Sequence, residues 1–390
     1  MQIGTIKLMD RIVGGVLCLA IGIANIPFAI MRKFMKRPAV KKILVVQLWG
    51  IGETITTLPA LRALRKRFSG AEITILATRR NKDVYFRNPD ADKLVEIDFN
   101  ISSLLEFMRR NYRKFDLVID MEEYLNVSAI LTFAAGKKRV GYSHGLRSLL
   151  YTKETVYNDQ QHSVFAFMDL ARTVGAEIPV KKLIPVQFDK HDAREVDKWM
   201  KERRIRSGEF VVGIAPGSAE SAPSRKWQKE KYAKLADSIL ERYGKKGCWV
   251  IFFGSSDERA LVDEIMTIMK LKENVYNAAG FFTVRQLFCA LQKCKAFVGN
   301  DSGPMHIAAA QGVKTLGLFG PNTPVRWAPY GEKNAFVYHQ DSCRYTPCIN
   351  THKGQVPDCL YSRKSAEYQK CMKAISVDNV MMAFGKIAGK

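Results

Sequence analysis

The chain has 390 residues, with 61 Lys and Arg against 38 Asp and Glu and a formal charge of +23. Two domains of roughly 100–200 residues fit that length, and 47% hydrophobic with 25% charged residues excludes collagen-like, disulfide-scaffold and wholly disordered chains. The basic excess is spread along the sequence rather than held in a tail. It points to a polyanionic partner: nucleic acid, an anionic membrane surface or a phosphorylated substrate.

Residues 12–31 carry no charge, and at about 1.5 Å per residue a helix over this run reaches about 30 Å, the thickness of a bilayer core. Lys7, Asp10 and Arg11 precede it, whereas Arg32, Lys33, Lys36, Arg37, Lys41 and Lys42 follow. That bias keeps the rest of the chain in the cytoplasm. The basic cluster after the run argues against a cleaved signal peptide, and the missing polar face argues against a buried helix of a soluble domain. Residues 1–40 therefore read as a membrane-attachment segment. Asn25 and Pro27 leave both a spanning helix and a kinked, re-entrant one open.

Beyond Pro38, short β-branched runs alternate with amphipathic stretches, the pattern of βαβ units around a parallel sheet. Strands are expected over 42–48, 72–77, 94–97 and 115–120, with helices such as 54–68 and 102–111 between them. A second series runs through 210–215, 248–253, 274–276, 296–298 and 315–319. Pro179 and Pro185 fall between the two series. The expected organisation is an α/β domain over 41–190, a second over 191–340 and a Cys-containing segment with a helix over 341–390. Ligands of such sheets sit at the carboxyl ends of the strands.

The first strand runs into Trp49-Gly50-Ile51-Gly52-Glu53-Thr54. Gly50 and Gly52 suggest a dinucleotide fingerprint, but Ile55 stands where its third glycine belongs, and Glu72 opens the next strand instead of closing it. What remains is a tight turn presenting Glu53 at a helix N-terminus. Its carboxylate either complements the helix dipole or serves as a general base toward an acceptor hydroxyl.

Three loops of the second series share a chemistry. Pro216-Gly217-Ser218 leads to Arg225-Lys226-Trp227, small residues that let amides approach an anion beside cations that neutralise it. Gly254-Ser255-Ser256-Asp257-Glu258 offers Glu258 either to ribose hydroxyls or as a helix start. Asn300-Asp301-Ser302-Gly303-Pro304-Met305-His306 joins a strand directly to a helix, so the Ser302 and Gly303 amides and the positive helix end form a diphosphate site. Asp301 is expected either as the N-cap of that helix or, with His306, as part of a ligand site. Leu318-Phe319-Gly320-Pro321-Asn322-Thr323-Pro324 then forms a turn that should wall the same cleft.

Cys18, Cys248, Cys289 and Cys294 fall in the apolar run and in core elements, and Cys343, Cys348, Cys359 and Cys371 crowd the C-terminal end. The spacing of the last four lacks the paired knuckle of most zinc sites. A metal, a local disulfide and reduced thiols stay open there, and no metal ligand is assigned.

These motifs, from Gly52-Glu53 with Leu58-Pro59-Ala60-Leu61 to Asp301-Ser302-Gly303 with His306 and the Phe319-Gly320-Pro321 turn, resemble those of the ADP-heptose:lipopolysaccharide heptosyltransferases, glycosyltransferase family 9. The resemblance covers about 41–375. It implies a GT-B fold, two Rossmann-like domains facing across a cleft, the acceptor in the first and the nucleotide-sugar donor in the second. It also implies inverting transfer without a catalytic metal or other cofactor. Glu53 stands where the family has an aspartate base. Ser218, Asp301, Ser302 and Gly303 match donor phosphate positions, His306 another donor contact, Glu258 the ribose-contacting acid, and Phe282 falls near a base-contacting position. Arg225, followed by Lys226, replaces a phosphate-binding lysine, a fork in place of a point charge.

The expected partners are then a nucleotide sugar, ADP-heptose by default, a phosphorylated glycolipid acceptor and an anionic membrane surface. The expected location is the cytoplasmic face of the bacterial inner membrane. Arg79-Arg80 and Lys137-Lys138-Arg139 are the basic clusters expected to meet the acceptor. Nucleic acid is excluded, since no recognition helix, zinc finger or RNP-like aromatic pair is visible. A membrane-attached module that binds the same ligands without chemistry is the rival reading.

Overall fold

The computed structural model describes residues 9–32, 39–219, 222–244, 247–350 and 358–389. Their contacts divide the chain into two compact units, Met1–Val180 and Lys181–Lys390.

In the first unit the strands β1 (Lys42–Val46), β2 (Glu72–Ala77), β3 (Lys93–Glu96), β4 (Phe115–Asp120), β5 (Gly136–Tyr142) and β6 (Lys153–Thr155) form one parallel sheet in the order β3-β2-β1-β4-β5-β6. Runs such as Ile43-Leu44-Val45-Val46 are buried on both faces, as a sheet with helices on each side requires. The strand order reverses between β1 and β4, so the loops leaving those two strands open into the crevice where ligands of doubly wound sheets bind. The second unit repeats the plan. Strands β7 (Phe210–Ala215), β8 (Cys248–Phe252), β9 (Val275–Asn277), β10 (Ala296–Asn300), β11 (Lys314–Phe319) and β12 (Ala335–Tyr338) lie in the order β12-β11-β10-β7-β8-β9, with the reversal between β7 and β10.

Three findings differ from the sequence expectation. The apolar helix α1 (Gly15–Arg32) does not stand apart but packs on the first unit, beside the turn Leu146–Leu150. Among the described residues the buried positions of this helix and of the turn Asp10–Gly14 before it, Gly14, Gly15, Cys18, Gly22 and Asn25, are small or polar. That explains why a search for a polar face missed the contact. The tail over 358–389 is likewise part of the second unit: Val377, Val380, Phe384 and Ile387 of the last helix recur at three- and four-residue spacing and complete its core, and Trp227 Nε1 donates to Ile375 O at 3.0 Å. Finally, β5 and β6 are strands that no apolar run announced, and the short apolar run of β12 is a strand not among those expected. The basic start of β5 is tolerated because Arg139, wholly buried, donates to the carbonyls of Leu150 and Gly136, while Lys137 reaches Asp116 at 2.9 Å.

That placement corrects the role given to Lys137-Lys138-Arg139. The cluster opens β5, at the amino edge of the sheet, whereas Glu53 follows the carboxyl edge of β1. Arg79 and Arg80 leave β2 on the Glu53 edge and are exposed. The basic residues Lys7, Lys33, Lys36 and Arg37 lie outside the described residues.

Candidate active site

The β1 turn delivers Glu53 into the first turn of α2 (Ile51–Arg67), three residues earlier than expected, with Gly50 as N-cap. Asn81 Nδ2 holds both Gln47 O and Thr54 Oγ1 at 2.9 Å, fixing the two sides of the turn. From the β4 side Glu122 reaches across the reversal point, and its Oε1 accepts from the amides of Leu48 at 2.5 Å and Trp49 at 3.0 Å and from Gln47 Nε2 at 3.2 Å. Burial first, and then the neighbouring Glu53, push the Glu122 carboxyl well above the usual range. Arg80 stacks on Trp49 with its guanidinium carbon 5.1 Å from the ring.

In the second unit one buried amide ties the Pro216-Gly217 loop and the Trp227 turn to the end of β10. Asn300, the last residue of β10, donates through Nδ2 to Pro216 O at 2.8 Å and Gly217 O at 3.0 Å. Its Oδ1 accepts from Trp227 N at 3.1 Å and from Tyr232 Oη at 2.9 Å. Asp301 is not an N-cap: Ser302 occupies that position before α10 (Gly303–Ala310). The Asp301 carboxylate turns aside to Arg225 Nη1 at 3.2 Å and Asn322 Nδ2 at 2.7 Å, which joins the last turn to the same loop. The opposite charge and the amide repay its burial, where a cap would have left Arg225 unmatched. Pro304 is the second residue of the helix, where a missing N–H is harmless.

Glu258 takes up the helix-start reading. Its Oε2 closes a capping box on Ser255 N at 2.8 Å, and its carboxylate lies against Gly217 and Gly254, where any side chain would collide with it. Ser218 Oγ donates to Ala222 O at 3.1 Å. Lys226 is half-buried and gives its carbonyl to Gln369 Nε2 at 3.2 Å. His306 lies beneath the loop with its ring edge-on to Trp327 at 6.1 Å. Burial lowers its pKa to about 4, so the ring is neutral near pH 7, and its Nδ1 has no partner among the described residues. Phe282 sits in an aromatic cluster, 5.3 Å from Trp199 and 5.2 Å from Phe281 between ring centroids.

A family model for glycosyltransferase family 9 (heptosyltransferase) matches residues 104–353. The chain belongs to that family. Lipooligosaccharide heptosyltransferase 2 of Haemophilus influenzae is 25% identical to this family 9 chain over 308 residues, 76% of it and 88% of the relative. Lipopolysaccharide heptosyltransferase 2 of Escherichia coli is 24% identical over 305 residues, 75% and 86% of the two chains. Among solved structures, a family 9 glycosyl transferase from Veillonella parvula superposes with a TM-score of 0.74 at 24% identity, covering 90% of this chain and 98% of its own. The E. coli heptosyltransferase WaaC, solved with ADP-2-deoxy-2-fluoro heptose, gives 0.62 at 17% identity, covering 88% and 99%. At these identities the structural likeness establishes the GT-B fold.

Two residues of the candidate site carry no role in the motif reading, Glu122 and Asn300. Both lie at the end of the fourth strand of a unit, beside the reversal of strand order, and that position is the signal that would have found them. Cys348 and Cys371 lie at the Gly320-Pro321 turn, and all four late cysteines are free thiols. Burial and then the neighbouring Cys371, Cys359 and Cys343 push Cys348 up to about 12. Among the described residues the group with metal-like spacing is instead Asp189, His191 and Asp192, whose two carboxylates cap α6 (Lys190–Glu202) and face Arg285.

Glu122 supports a paired prediction. Glu122→Gln keeps an acceptor for the Leu48 and Trp49 amides and removes a buried acid, whereas Glu122→Ala orphans those amides at about 1–3 kcal/mol each. Because the native carboxyl holds its proton at a higher pH than the unfolded one, stability is lost as pH rises above about 4.5. Urea midpoints of wild type and Glu122→Gln should therefore coincide near pH 4, with the variant level or ahead at pH 8. Glu122→Ala should be the less stable at both, and its transfer rate should fall while the Gln variant retains activity.

Proposed function

We propose that the protein is an inverting, metal-independent transferase that carries heptose from ADP-heptose onto a lipopolysaccharide core or a related surface glycolipid, on the cytoplasmic face of the bacterial inner membrane. The observation that carries this reading is the convergence on Asp301. Arg225, Asn322 and the amino end of α10 meet there, and a cation, an amide and a helix dipole gathered at one loop suit a diphosphate. Relatives named heptosyltransferases, and one structure holding an ADP-heptose analogue, support the choice of donor.

In the mechanism, Glu53 removes the proton from an acceptor hydroxyl as that oxygen attacks the anomeric carbon. The bond to the diphosphate oxygen breaks on the opposite face, and the charge that develops there is taken up by the Ser302 and Gly303 amides, the helix end and Arg225 with Lys226. Arg225 is suited to bridge Asp301 and the leaving group, since its Nε is buried without a partner among the described residues. Ser218 adds a hydroxyl to the phosphates, Glu258 receives the ribose hydroxyls, Phe282 flanks the base and His306 supplies a neutral donor-side contact.

The test incubates the purified chain with ADP-, UDP- and GDP-sugars and extracted glycolipid acceptors, reading nucleotide release and product mass with and without EDTA. Release of ADP from ADP-heptose, undiminished by EDTA, is the expected result. Abolition by EDTA overturns the metal-free mechanism. Binding of ADP-heptose with no release over a broad acceptor panel establishes the non-catalytic module instead.

A further inference from the structure

The membrane-surface partner in the proposed function leaves open how the N-terminal helix meets lipid, and the inference here rests on that part of the reading. The helix is clamped at its start. Asp10 accepts from the amides of Asn126 at 2.9 Å and Val127 at 2.7 Å, and Asn126 Nδ2 donates back to Asp10 O at 3.0 Å. Asp10 thereby caps α4 (Asn126–Ala135), the helix that leaves β4 on the Glu53 edge. Further along, glycines bring the two backbones close: a Cβ on Gly14 would fall 2.8 Å from Asn126 Cβ, and one on Gly22 2.8 Å from Leu149 Cβ. Cys18 is fully buried among Ala129, Leu150 and Tyr151. Directly behind lies the buried pair Arg147 and Asp120, at 2.9 Å.

A helix that crosses a bilayer is ringed by hydrocarbon over about 20 residues. Residues 10–25 cannot meet that condition while one side of them is seated on a domain holding Asp120 and Arg147, because charges next to the seat would enter hydrocarbon with it. The opposite side is apolar and open: Ile12, Val16, Leu17, Leu19, Ile23 and Ile26 are each exposed by 41% or more. Leu146 and Leu149, at 43% and 46%, extend the same surface beyond the helix. Arg11 is exposed at one end of it, and in the sequence Arg32, Lys33, Lys36 and Arg37 follow the other. An apolar face with cationic ends is complementary to an anionic leaflet. A second copy of the chain would set those cations against their own duplicates.

We propose that α1 is an in-plane membrane anchor, held on the first unit by Asp10 and its glycine seat, whose outer face with Leu146 and Leu149 enters one anionic leaflet without crossing it. The anchor begins at the carboxyl edge of the sheet, so a glycolipid head emerging from that leaflet meets the Glu53 edge without leaving the membrane.

The test uses the full chain and no sugar donor or acceptor, so failure of the transferase reading leaves its result intact. Wild type should float with phosphatidylglycerol-containing vesicles and far less with pure phosphatidylcholine. Leu19→Lys/Ile23→Lys, on exposed positions, should reduce flotation by about tenfold or more while its urea midpoint stays that of wild type. A tag at the N-terminus should be cut by protease added to cytoplasm-side-out membrane vesicles. A protected tag establishes a spanning helix and overturns the proposal. Undiminished flotation of the Lys variant overturns it as well, as does a lipid-independent dimer that the Lys variant dissociates.

Discussion

Glu53→Gln is expected to lower the transfer rate by about 10²–10⁴-fold, the range for losing a positioned general base, while ADP-sugar binding stays near that of wild type. The substitution is nearly isosteric, and the Gly50 cap and the Asn81 ties that place the turn do not involve the Glu53 carboxylate. Donor affinity should persist because the residues assigned to the donor, from Ser218 to His306, all belong to the second unit. ADP release and product mass report the first quantity, and calorimetric titration with ADP-sugar reports the second. Glu53→Asp sharpens the result: it restores the residue of the family resemblance but withdraws the carboxylate by one methylene, so partial activity is expected. Near-normal turnover in Glu53→Gln removes Glu53 as the base. Loss of donor binding in the same variant makes the residue structural.

The parts of this molecule that sequence reading recovered are those governed by short-range rules. Strands β2, β4 and β7 are short runs rich in β-branched and apolar residues, and their expected limits coincide with the observed ones. The strand-to-helix junction at Asp301-Ser302-Gly303 was legible because small residues followed by Pro304 mark a helix start. What escaped depends on partners distant in sequence. β5 begins Gly-Lys-Lys-Arg, and a buried Arg139 becomes acceptable through the Leu150 carbonyl, eleven residues on, together with that of Gly136. Asp301 reads as an N-cap until Arg225 and Asn322, both remote in sequence, offer its carboxylate better terms. In α1 the periodic signal was present but of an unfamiliar kind: Gly14, Cys18, Gly22 and Asn25 recur at helical spacing, and it is smallness rather than polarity that marks the face turned to protein.

Asn300 is where the second large effect is expected. Its amide has two donors and two acceptor positions, and the structure fills them with Pro216 O, Gly217 O, Trp227 N and Tyr232 Oη. Asn300→Ala leaves two donors and two acceptors buried without partners, at about 1–3 kcal/mol for each group that water cannot reach. Even with partial relaxation the sum is on the order of several kcal/mol, a large share of the roughly 5–15 kcal/mol that stabilises a domain. Asn300→Asp discriminates further. It is closer in shape than Ala and keeps both acceptor contacts, yet it turns a carboxylate toward the Pro216 and Gly217 carbonyls. A role resting on shape alone ranks Asp as the milder change; a role resting on donated hydrogen bonds makes it at least as damaging as Ala at pH 8 and less so at pH 5, where protonation returns one donor. Urea unfolding of the second unit, followed by Trp227 fluorescence at both pH values, decides between them. ADP affinity should fall in step, because two of the same four bonds hold the Pro216-Gly217-Ser218 loop to the strand that ends in Asp301's neighbour.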